Sequence, residues 1–295
     1  MKLKIKPAYG ALVAAILAFS ACAGDSSNQK NNQKTEVKEV EESNTFYLIP
    51  SPEDLFAFTQ NDKLQYSAEW LNPVENIDKY IDNKSKEFNF GTFSADMAYS
   101  AAFAKYQESV RYLNQIRTLS EQIGIGNVFN DALIKRIDNV ANNKDSLKAI
   151  SSQTYNDIIR FLDSKKRNRT MALISAGGWL ESLYIVTQSI TKYDENDVSI
   201  QQIADQKIVL ENLLQYLNQI KNDAAVTDII GQFEPLKNAY AQIKREDSGE
   251  TQTPPEGAIA VGGSKKLKMT EENFNKIKET IAQLRNNLTA NNVSK

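Results

Sequence analysis

Acid–base chemistry in this 295-residue chain has to run through carboxylates, because the sequence contains no histidine and a single cysteine, Cys22. Imidazole bases, Ser-His-Asp and Cys-His nucleophiles and the usual zinc ligand sets are therefore missing. No glycine-rich phosphate loop of the Walker or Rossmann type occurs, so no cofactor and no metal are expected. The acidic segment YDENDVSI, residues 193–200, lacks the sixth-position glycine and the closing glutamate of a calcium loop. Asp197 reads better as a helix N-cap. Three features remain. Glu181-Ser182 lies within the apolar run SAGGWLESLY. Asn76, Lys79, Tyr80 and Asp96 fall in one block and could line a polar pocket, although caps and loop hydrogen bonds are the simpler use for them. Trp179 follows the pair Gly177-Gly178, which marks either close helix packing or a small ligand lying against exposed backbone.

These residues must be positioned by helices. From about residue 94 onward the apolar period is 3.5 to 3.6 residues. Tyr99, Phe103, Tyr106, Val110, Leu113 and Ile116 form one stripe. Leu133, Ile134, Ile137 and Val140 form the next, and Leu147, Ile150, Tyr155, Ile158, Ile159 and Leu162 a third. A helix near 169–192 is the most apolar and is expected at the centre. Ile203, Leu210, Leu213, Leu217 and Ile220 mark another helix, and Phe274, Ile277, Ile281, Leu284 and Leu288 mark the last.

Earlier in the chain, Ser51-Pro52 opens a short helix, with Ser51 as N-cap and Glu53 and Asp54 in the first turn. Asn72-Pro73, with Glu75 three residues after Asn72, repeats the device as a capping box. Phe88, Phe90 and Phe93 lead to Ser94 and a long helix. No strand alternation stands out. The fold class is all-α, an antiparallel multi-helix bundle or array with short connections, carried by residues 46–295 as one domain. Residues 247–268, with two prolines and four glycines, read as a mobile loop. The hexapeptide YLNQIR at 112–117 recurs as YLNQIK at 216–221, which raises the prospect of two related three-helix units flanking helix 169–192.

Cys22 sits where an apolar stretch gives way to a polar one. Residues 2–6 read KLKIK, residues 8–19 are almost wholly apolar, and Ser20-Ala21 are small. An apolar run of about 12 residues is too short to span a bilayer, which needs about 20; the pattern is that of an export signal. Phe19, Ser20, Ala21 and Cys22 resemble the lipobox of bacterial lipoproteins, with Phe19 where leucine is usual. That resemblance implies diacylglyceryl transfer to the Cys22 sulfur, cleavage before it and acylation of the new amine. Several acyl chains on one residue anchor stably, where one is marginal. Residues 1–21 are then the signal and residues 22–45 a disordered polar tether. With the three signal lysines removed, 32 basic residues face 37 acidic ones, a net charge of −5. This argues against nucleic acid as a partner. The basic cluster Lys165, Lys166, Arg167 and Arg169 fits a helix C-terminus.

Two further resemblances bear on function. Glu181-Ser182 is similar to the Glu-Ser of lytic transglycosylases, which would make Glu181 the acid of a peptidoglycan hydrolase. The glycine-leucine-methionine-glutamine segment of those enzymes is missing, since LYIVTQSITKY follows. The block at 71–103 resembles uncharacterised all-helical envelope lipoproteins through Asn72, Pro73, Asn76, Lys79, Tyr80, Asn89, Gly91, Ala95, Asp96 and Tyr99, and implies no activity. The expectation is a non-catalytic binding or scaffolding module in the cell envelope, the outer membrane ahead of the inner. It would be held by its N-terminal lipid and act on a protein or small-ligand partner. The alternatives are a receptor with a cavity near Gly177 and Trp179, and a hydrolase using Glu181.

Overall fold

A computed structural model describes residues 51–57, 66–129, 135, 144–247 and 265–290. The signal, the tether, the stripe Leu133–Val140 and the greater part of the 247–268 loop lie outside the described residues. The helices are α1 (Pro52–Ala57), α2 (Asn83–Ala102), α3 (Tyr106–Gln122), α4 (Lys144–Ser164), α5 (Asn168–Ser189), α6 (Val198–Gln219), α7 (Ala224–Ala241) and α8 (Glu271–Thr289). Short 3₁₀ segments form at Ala68–Trp70, Val74–Lys79 and Gly126–Val128. The mostly helical, multi-helix architecture expected from the periodicity is present.

Sequence chemistry accounts for most of the boundaries. Ser51 caps α1 reciprocally with Asp54: the Asp54 N–H donates to Ser51 Oγ at 3.3 Å, and the Ser51 N–H donates to Asp54 Oδ2 at 3.0 Å. Asp82, Asp197 and Asp223 cap α2, α6 and α7 through their carboxylates, and Thr270 with Asn273 forms a capping box on α8. Three boundaries differ from the sequence expectation. Helix α2 begins at Asn83 and not near Ser94, so the three phenylalanines lie within it. The stripe from Tyr99 to Ile116 is split between α2 and α3, because the chain turns at Ala104 with φ of 55°. Asn72 caps nothing, since Pro73 precedes the 3₁₀ turn without a side-chain cap, and the Asn72 side chain is used elsewhere.

Helices α2 and α5 form the centre. Most residues of each are buried; α5 is apolar on most sides, whereas α2 buries Ser, Thr and Asn side chains as well. They touch backbone to backbone. A Cβ on Gly91 would collide with the Ile174 carbonyl and lie 2.6 Å from Gly178 N, and one on Gly177 would collide with the Phe88 carbonyl. The glycines therefore serve close approach, and α2 fills the space where a ligand against bare backbone would lie. Helices α3 and α4 pack on α2, α6 packs on α5 and α7, and α8 packs on α5, α2 and α7. Phe88, Phe90, Phe93, Trp179, Phe233 and Tyr240 fill the core. No described helix is long and apolar enough to cross a membrane.

Two short strands were missed in the sequence. Strands β1 (Lys244–Asp247) and β2 (Lys265–Lys268) pair antiparallel, with Lys244 opposite Lys268 and Asp247 opposite Lys265. Their residues are mostly charged and show no alternation. The basic cluster also has local uses. Arg167 donates to the Ile123 and Gly124 carbonyls at the end of α3, at 2.8 and 3.1 Å. Arg169 pairs with Glu87 at 2.7 Å and with Asp223 at 3.1 Å.

The two hexapeptides occupy different places. YLNQIR lies mid-helix in α3, whereas YLNQIK runs off the end of α6. Their tyrosines do act alike: Tyr112 Oη donates to the Asn72 carbonyl at 3.0 Å and Tyr216 Oη to the Asn168 carbonyl at 3.4 Å.

Candidate functional site

The most unusual chemistry in the described residues is a polar cluster inside the α2–α5–α8 junction. Glu181 is the only acidic residue of α5, and its side chain is completely buried. An isolated carboxylate there would be very costly. Arg285 of α8 answers it from the side: Nε donates to Oε2 at 2.8 Å and Nη2 to Oε1 at 2.7 Å. This forked, planar pairing is what guanidinium geometry favours. The remaining Arg285 donors reach the Trp70 carbonyl at 3.4 Å and Asn286 Oδ1 at 3.3 Å. The guanidinium carbon lies 4.6 Å from the centre of the Tyr184 ring, close enough for a cation–π contribution. Burial alone would weaken the charged guanidinium, but the Glu181 carboxylate outweighs it and holds Arg285 well above its ordinary range.

Asp96 of α2 brings a second carboxyl group to the same place. It is fully buried. Oδ2 accepts the Asn72 N–H at 3.3 Å, and Oδ1 has no donor facing it. Burial, followed by the negative charge of Glu181, pushes the Asp96 pKa well up, against the opposing pull of Arg285 and the Asn72 N–H. Glu181 is within hydrogen-bonding reach of Asp96. Two carboxyl groups served by one guanidinium form a neutral set only if one proton is retained. Burial and the adjacent Glu181 carboxylate both favour the neutral form of Asp96, which could donate toward Glu181.

Asn72 links this core to the other polar residues of the block. Its Nδ2 donates to Tyr80 Oη at 2.9 Å, its Oδ1 accepts from Asn76 Nδ2 at 2.6 Å, and its carbonyl accepts from Tyr112 Oη. Burial pushes both Tyr80 and Tyr112 up, reinforced in Tyr112 by Asp96 and Glu181, so both remain neutral phenols. The structure thus brings Asn76, Tyr80 and Asp96 together through Asn72 and adds Glu181, Arg285, Tyr112 and Tyr184. Lys79 is exposed. Trp179 is about 200° around α5 from Glu181. It donates from Nε1 to Gln206 Oε1 at 2.8 Å and packs 6.3 Å from the Phe233 ring. Cys22 lies outside the described residues.

Arg285 was missed from the sequence although a signal was present. It stands four residues after Ile281 and three before Leu288, on the buried stripe of an amphipathic helix, where a charge implies a buried partner. Elsewhere, a narrow concavity between α2, α3 and α4 is lined by Met97, Val110, Leu113, Ile150 and Thr154. Among the described residues no cluster of three or more His, Cys, Asp or Glu side chains is arranged to hold a metal ion. Asp194 and Asp197 instead accept the backbone N–H groups of Asn196 and Ser199. No family model matches the chain, and no curated protein or solved structure is significantly similar to it.

Proposed function

We propose that the chain is a lipid-anchored protein of the bacterial cell envelope whose helical body acts by binding or scaffolding, without catalysis. The observation that carries this reading is the placement of its only cysteine: Cys22 directly follows Phe19-Ser20-Ala21 at the end of a short apolar run with a lysine-rich start. A thioether to diacylglycerol at that sulfur, with acylation of the new amine, supplies stable attachment. The polar segment after it gives roughly 25–30 Å of mean reach if it behaves as a flexible coil. Attachment to the outer membrane, ahead of the inner, belongs to the same reading.

The non-catalytic half of the proposal is supported by the state of Glu181. A general acid for glycan cleavage needs a carboxyl group that meets substrate and keeps its proton near neutrality. Glu181 has both oxygens engaged by Arg285 and is closed off from solvent. Asp96, whose neutral form burial favours, is equally buried and no better placed to meet a substrate.

The test is fractionation of cells producing wild type or Cys22→Ser, with mass spectrometry of the mature terminus and crosslinking to recover a partner. Wild type should partition with membranes and carry acyl chains on Cys22, and Cys22→Ser should not. Identical partition of the two with soluble protein would refute anchoring. Release of soluble fragments from purified peptidoglycan by the folded body, lost in Glu181→Gln, would refute the non-catalytic reading.

A further inference from the structure

The carboxyl pair raises a question that binding and anchoring do not answer. A neutral, apolar filling of the same space would be as stabilising as a buried ion set, or more so. The cluster joins parts distant in sequence: Asp96 on α2, Glu181 on α5, Arg285 on α8 and the Trp70–Asn72 backbone. Apart from Asn89, which donates to the Leu288 carbonyl at 3.1 Å, and Lys278, which donates to the Ile190 carbonyl at 2.9 Å, α8 is held mainly by its apolar stripe of Phe274, Ile277, Ile281, Leu284 and Leu288.

We propose that Asp96, Glu181 and Arg285 form a one-proton latch that holds α8 against α2 and α5. With the proton in place, the three groups sum to zero charge and the helix is closed. Without it, two carboxylates face one guanidinium in a site that excludes water. The excess negative charge is relieved when α8 lifts and lets solvent in.

The groups around Asp96 are consistent with a single titration. Helix α5 contributes Glu181 and Tyr184, α8 contributes Arg285, α3 contributes Tyr112, and the segment before α2 contributes Tyr66 and Tyr80. All four tyrosines are raised, first of all by burial, so they stay neutral through the ordinary phenol range and below it. Lys278 on α8 is lowered by burial. A base lowered in the closed state favours closure as pH rises, so it opposes the latch and cannot imitate it.

The sign follows from proton linkage. The closed state holds Asp96 protonated and the open state releases it. Opening therefore becomes easier as pH rises from the ordinary aspartate range to the raised value in the closed state, then levels off. A single proton gives about a tenfold rise in the opening constant per pH unit within that window.

The experiment is amide hydrogen exchange on the intact chain from about pH 5 to about pH 10, corrected for the intrinsic acceleration of exchange. The expected result is an α8-specific opening constant that climbs about tenfold per pH unit before reaching a plateau, while α5 stays protected. In Asp96→Asn, a neutral isostere able to donate to Glu181, the climb disappears. In Glu181→Gln, which leaves Asp96 as the one carboxyl group of the latch facing Arg285, it also disappears, and this second variant serves if the first does not fold. A flat wild-type profile overturns the latch. So does a rise shared equally by α5 and α8, or one that survives in either variant.

Discussion

Gly91 and Gly231 both sit in helix interiors, where glycine costs roughly 0.5–1 kcal/mol relative to alanine. Their surroundings differ. At Gly91 an added methyl would drive into the Ile174 carbonyl, which is backbone and cannot rotate away, whereas at Gly231 nothing lies within 4 Å. Gly231→Ala is expected to stabilise the protein by about 0.5–1 kcal/mol. Gly91→Ala is expected to destabilise it, toward the upper end of the about 1–3 kcal/mol that overpacking costs. Urea midpoints of the two variants against wild type check both. The Gly177-Gly178 pair could be singled out from sequence because two adjacent glycines in an apolar run need a reason. Gly91 could not, since its reason is a carbonyl on another helix. The same limit applied to the polar cluster. Asn76, Tyr80 and Asp96 fall close enough together to be grouped by eye, but Asn72 looked like a helix cap. Only the fold shows its amide turned toward Tyr80 and Asn76.

Among the elements, α8 shows how an amphipathic helix can conceal a charge. Its apolar stripe was readable, and Arg285 stands on the edge of that stripe. Removing the cation alone leaves Glu181 buried without a counter-charge. Arg285→Met should therefore cost about 3–5 kcal/mol. Glu181→Leu combined with Arg285→Met should recover most of that loss, because both charges of the buried pair leave together and neither remains without a partner. Thermal or urea unfolding of the single and double variants measures the coupling; a double variant no better than the single one would contradict the expectation. Other elements were less legible for physical reasons. The stripe from Tyr99 to Ile116 keeps helical spacing across Ala104, because the turn there reverses the chain without changing which side chains are apolar. The strands are four residues each and rich in lysine, so their pairing comes from neighbouring backbone and leaves no pattern in residue type.

For the molecule as a whole, composition and periodicity were enough to indicate a helical array with a central apolar helix. That centre turned out to be two helices, α2 and α5, because a helix rich in Ser, Thr and Asn can still be buried when its polar groups bond back along their own chain. Ser94 to the Phe90 carbonyl and Asn89 to the Ser85 carbonyl are examples. The pairing of β1 with β2 has a consequence for chain continuity. Asp247 and Lys265 are brought side by side, so a peptide bond cut anywhere from 248 to 264 would fall between two already fastened ends. The nicked product should migrate as two polypeptides under denaturing electrophoresis yet elute as one particle from a sizing column. Two separately produced pieces, divided in that interval, should reassemble without a covalent link. The last helix could then be exchanged for a labelled or altered copy, as though the gene had been supplied in two parts.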